Sequence, residues 1–138
     1  MEKLKLVTVY SLALLYIAVG VKHFMDLDFF LAIMPDYLPW HKELVLISGG
    51  LEILLGALLV FRATRKYAAY GLIVVLLAVF PANIYLAMSE LAQQALGATQ
   101  QDTLIRLPFQ IPLILLAYWH SQEKTKQWFN VLCLILCN

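Results

Sequence analysis

From Leu44 to Met88 the chain is almost continuously apolar, its only charges being the cluster from Arg62 to Lys66 and one acid, Glu52. Each half has about the 17–25 residues that a helix needs to cross a bilayer core. Two more segments of this kind flank the pair, so the sequence predicts transmembrane helices over about 4–24, 44–61, 67–88 and 104–120. The expected fold class is all-α, an integral membrane four-helix bundle forming a single transmembrane domain over 1–138, with a peripheral tail over 121–138. Charged residues make up only 14% of the chain, against roughly a quarter in soluble domains. The basic residues are scattered rather than gathered in a stripe, which excludes the electrostatic footprint of a nucleic-acid binder. Membrane lipids are the expected surroundings.

The first apolar segment follows Lys3 and Lys5 but is not followed by an A-x-A-like cleavage site, so it is read as a span and not as a signal peptide. Between the first two spans, Phe29, Phe30, Tyr37 and Trp40 alternate with Asp26, Asp28, Pro35, Asp36 and Pro39, the mixture expected of an aromatic loop lying at the interface. The stretch from Ser89 to Thr103 is too polar to cross and reads as a surface loop or a short interfacial helix. Pro108 and Pro112 predict a kink in the fourth span. Lys3, Lys5, Arg62, Arg65, Lys66, Lys124 and Lys126 fall on one side of the membrane, and Lys22, Lys42 and Arg106 on the other. The positive-inside rule then puts both termini in the cytoplasm, an N-in/C-in topology, with the acidic first loop outward.

An ionisable side chain inside a span costs at least about 2.5–3.5 kcal/mol on insertion scales, so it asks for a partner or a purpose. Glu52 sits near the middle of the second span, with Gly49 three residues before it and Gly56 four after. Helical spacing puts the three on one face, where small residues admit a second helix, so Glu52 is expected to point into the bundle. Asn83 follows Pro81 in the third span, Arg106 and Gln110 share a face of the fourth, and His23 closes the first. His23, Glu52, Asn83, Arg106 and Gln110 thus converge on one level as candidate ligand-binding residues. Two readings fit this convergence. In one, Arg106 neutralises Glu52 while Asn83, Gln110 and His23 hydrogen-bond across helices as internal glue. In the other, the five residues line a polar pocket beneath the aromatic loop.

His41 and His120 are read as interfacial. Three histidines at unrelated spacings do not make a metal site, and Cys133 and Cys137 lack the C-x-x-C redox spacing. No nucleophile, phosphate-binding or haem-attachment motif is present, so no catalytic residue is assigned.

Four linked segments resemble the DoxX-like family of small bacterial four-helix membrane proteins. They are Gly20-Val21-Lys22-His23-Phe24, then Pro35 and Leu38-Pro39 with Ser48-Gly49, Glu52 and Gly56, then Val79-Phe80-Pro81-Ala82-Asn83-Ile84, and Arg106-Leu107-Pro108-Phe109-Gln110. The resemblance spans about residues 8–120 and implies a bacterial inner-membrane location. Its relatives are associated with quinone-linked oxidation of sulfur compounds, with oxidoreductase complexes answering oxidative stress, and with maturation of disulfide-containing partners. It therefore implies a redox-associated subunit binding a quinone or similar lipophilic ring, with a membrane or periplasmic redox protein as partner. A lipid-binding or transport module and a structural accessory subunit are the alternatives, and the Gly-rich helix faces permit a homo-oligomer.

Overall fold

The structure, a computed structural model, describes residues 2–122, so the Cys-containing tail lies outside the described residues. Six helices follow one another: α1 (Glu2–Met25), α2 (Leu27–Ala32), α3 (His41–Val60), α4 (Arg65–Met88), α5 (Glu90–Ala95) and α6 (Gln100–Ser121). There is no strand among the described residues. Helices α1, α3 and α4 are long and apolar enough to cross a membrane. Their outward faces carry large apolar side chains such as Leu14, Leu54 and Val74, each more than half exposed. In water that much contiguous apolar surface would drive association, whereas in lipid it carries no penalty.

The long helices pack in the order α1, α3, α4, α6, with the most extensive pairings between α1 and α3 and between α4 and α6. All four contribute to one apolar core: Leu12 and Tyr16 from α1, Leu59 from α3, Leu72 from α4 and Ala117 from α6. Helices α1 and α6 touch sparsely. The Thr8 hydroxyl, which donates to the Leu4 carbonyl at 2.9 Å, is met there by His120 Nε2 at 3.1 Å. His120 is fully buried. His120, in the last turn of α6, turns its ring into the bundle against α1.

Backbone groups at the helix ends find partners across the chain, as four orphan carbonyls at each C-terminus require. Buried Arg65, in the first turn of α4, donates from Nε to the Leu59 carbonyl and from Nη2 to the Val60 carbonyl, both at 3.0 Å, closing the end of α3. The Thr64 hydroxyl adds a bond to the Leu58 carbonyl at 2.7 Å. Arg65 therefore caps a neighbouring helix.

At the other end of α4, Gln93 from α5 donates through Nε2 to the Leu86 and Ala87 carbonyls at 3.0 and 3.1 Å. Replacing Gln93 with Ala should cost about 1–3 kcal/mol, since two buried carbonyls lose their donor. Thermal unfolding in detergent reads this directly, and an unchanged midpoint would remove Gln93 from the account of how α4 ends.

Helix α6 starts at a capping box in which Thr99 and Asp102 exchange hydrogen bonds. The same bonds from the Thr99 side chain and amide hold the exposed Asp102 carboxyl below the usual carboxylate range. Helix α6 then runs through both Pro108 and Pro112.

Candidate functional site

The crossing of α1 and α3 is set by glycine. A Cβ on Gly20 would lie 2.6 Å from the Gly49 carbonyl oxygen, and one on Gly56 would lie 3.0 Å from the Ala13 carbonyl oxygen. Backbones this close leave room only for hydrogen at those positions. On α1, Tyr16, Gly20 and His23 stand at i, i+4 and i+7; on α3, Gly49, Glu52 and Gly56 stand at i, i+3 and i+7. Each set is one helical face, and the two faces meet.

This contact buries three ionisable groups together. His23 is 6% exposed, Glu52 5% and Tyr16 4%. His23 Nδ1 lies 3.7 Å from Glu52 Oε2 and 2.9 Å from the Val19 carbonyl oxygen. A carbonyl can only accept, so Nδ1 carries the hydrogen and, in the neutral ring, Nε2 is left as an acceptor. Tyr16 is close enough to Glu52 for a direct Coulomb interaction. Neither the Tyr16 hydroxyl nor Glu52 Oε2 has a hydrogen-bond partner, although both are buried. Leaving a buried polar atom unmatched costs about 1–3 kcal/mol, so native structures rarely do it without a reason.

The remaining expected residues divide. Asn83 Nδ2 donates to Gln110 Oε1 at 3.1 Å, and Gln110 Nε2 in turn donates to the Leu76 carbonyl, so α4 and α6 are tied by a chain of bonds. Arg106 is exposed and does not pair with Glu52. Its guanidinium lies 6.0 Å from the Phe29 ring centre, and Lys22 Nζ lies 4.4 Å from that same centre. The expected Arg106–Glu52 neutralisation is corrected for a geometric reason: α6 packs on α4 and makes no close backbone approach to α3. Histidine from α1 takes the place expected of arginine from α6.

A family model described as a domain of unknown function, DUF8561, matches residues 12–121. The chain belongs to the DUF8561 family. No curated protein and no solved structure matches it. The matched span of this DUF8561 member takes in Tyr16, His23, Glu52, Asn83, Arg106 and Gln110.

Tyr16 escapes a reading based on ionisable or amide side chains, because a tyrosine in a span resembles any other aromatic. Its signal is spacing: Tyr16 stands four residues before Gly20 and seven before His23, on the face that small residues mark for close packing. Phe30 is the other residue that gains meaning from the structure. Its ring stacks on His23 with centroids 3.6 Å apart and planes 20° apart, and Phe29 meets it edge-on at 5.1 Å. Tyr37 and Trp40, the other aromatics of the loop expected above the site, are both more than half exposed.

Proposed function

We propose that this protein is a DoxX-like four-helix protein of the bacterial inner membrane, with both termini cytoplasmic and α6 as the fourth span. In this reading it is a redox-associated subunit that binds a quinone or similar lipophilic ring at the outward half of the bundle, with Glu52, His23 and Tyr16 as the polar end of the site. The observation that carries the proposal is the two unmatched atoms, Glu52 Oε2 and the Tyr16 hydroxyl, both buried on the facing sides of helices long and apolar enough to cross a membrane. A ligand with carbonyl or hydroxyl groups on an apolar body satisfies both atoms without bringing in water.

Reduction of a quinone to a quinol takes two electrons and two protons. The electrons come from a membrane or periplasmic redox partner, because this chain has no redox motif of its own. Tyr16 donates a hydrogen bond to a ligand oxygen, and Glu52 gives up or takes back a proton at the ligand's edge, with His23 beside it as a second carrier. Asn83 and Gln110 serve the site indirectly by holding α4 to α6, and Arg106 with Lys22 forms a basic rim at the headgroup level.

Native mass spectrometry of the protein purified in mild detergent tests this reading. Bound quinone is expected in the wild type, and Glu52→Gln should weaken its binding about 10-fold, the factor that corresponds to losing the hydrogen bond that a protonated carboxyl donates to a ligand oxygen. Circular dichroism establishes that the variant is folded. A wild type that carries phospholipid and no quinone overturns the proposal in favour of a lipid-binding module. One that carries nothing favours a structural subunit.

A further inference from the structure

Helix α2 has no buried residue, and no side chain caps its start. Its two phenylalanines tie it to the site: Phe30 lies flat on His23, and Phe29 lies near the cations of both Lys22 and Arg106. Core packing does not explain the stack, since Phe30 is only half-buried and belongs to a segment outside the core. A phenyl ring on imidazole gains dispersion and quadrupole energy but offers no polar atom at its edge. It therefore can satisfy neither of the unmatched atoms, Glu52 Oε2 and the Tyr16 hydroxyl.

We infer that Phe30 is an internal stand-in for the ligand's ring: the slot against His23 is a binding site for a planar six-membered ring bearing carbonyl or hydroxyl groups, and α2 moves aside when such a ring enters. This rests on the function proposed above and specifies its ligand class as planar and conjugated, stacked on His23. Displacement is favourable because the incoming ring replaces the stack that Phe30 gives up and adds hydrogen bonds that phenyl cannot make. Lys22 and Arg106 then hold Phe29 from two helices and limit how far α2 travels.

Isothermal titration of decylubiquinone into the protein in phosphatidylcholine nanodiscs tests the inference. Phe30→Ala removes the internal competitor and should bind about 3- to 10-fold tighter than wild type, the factor that corresponds to an aromatic stack. Phe30→Leu keeps apolar bulk without a flat face, should shift affinity in the same direction, and serves if the alanine variant does not fold. Ring-current shifts of the His23 ring protons on binding are expected in wild type and in both variants. Unchanged or weaker binding in the Phe30 variants, with binding still weakened in Glu52→Gln, overturns the stand-in role while leaving the site reading intact. No heat and no shift in any of the proteins overturns both.

Discussion

Alanine at Gly49 is expected to destabilise the protein by about 1–3 kcal/mol, the range for forcing atoms into a packed contact, while alanine at the adjacent Gly50 is expected to be neutral or mildly stabilising. A Cβ on Gly49 would lie 2.6 Å from His23 Cβ and 3.0 Å from the Gly20 carbonyl oxygen, whereas one on Gly50 meets nothing within 4 Å. Neither obstacle to Gly49 is the end of a flexible side chain, so α1 and α3 must move apart. Gly50 meanwhile gains the roughly 1 kcal/mol by which alanine favours helix. Separation of α1 from α3 also withdraws His23 from Glu52, so under the proposed function Gly49→Ala should weaken quinone binding along with stability. Thermal unfolding midpoints of the two variants, compared in the same detergent, decide it. Equal midpoints would mean that the α1–α3 crossing is not the close backbone contact described above.

Replacement of Arg65 by Met is expected to cost about 2–4 kcal/mol, with Lys recovering only part. The buried guanidinium serves two successive carbonyls, Leu59 and Val60, from two of its nitrogens. Hydrogen bonds from a charged donor contribute about 1.5–3 kcal/mol, and a single ammonium does not reproduce the planar fork. Methionine keeps the apolar stem and leaves the end of α3 without its donors. Exposed Arg62, three residues earlier, is the control, and Arg62→Met should stay within about 0.5 kcal/mol of wild type. Unfolding midpoints read both changes. A midpoint for Arg65→Met matching that of Arg62→Met would show that α3 ends without help from α4.

The two substitutions probe different kinds of information. Apolar runs and the Gly49, Glu52, Gly56 spacing are local properties of one helix, and a periodicity of 3.6 residues is enough to see that Glu52 faces inward. The short helix α2 was hidden because Leu27–Ala32 sits among aspartates and prolines that read as loop. The Thr99–Asp102 box that starts α6 has a local signature, Thr and Asp three apart, but it lies in a polar stretch after Gly97 whose composition is equally that of a loop. Arg65 and Gln93 illustrate the harder case. Both cap a neighbouring helix through space, and a basic residue after a span looks the same whether it faces headgroups or a carbonyl.

The sequence by itself determined a helical chain for a bilayer, with one acid that had to be accommodated inside it, because apolar length and lone charge are strong signals against lipid. Only the tertiary structure decided which residue meets that acid. Candidate cations stood at the ends of two helices, Arg106 on α6 and His23 on α1, and side-chain type alone favoured the arginine. The glycines of α1 and α3 draw those two helices into backbone contact, and that contact carries His23 and Tyr16 to the level of Glu52. Arg106 is left exposed at the rim, over Phe29. Partner choice inside a bundle follows from which helices are neighbours, and helix neighbours are selected by surfaces that no single segment contains.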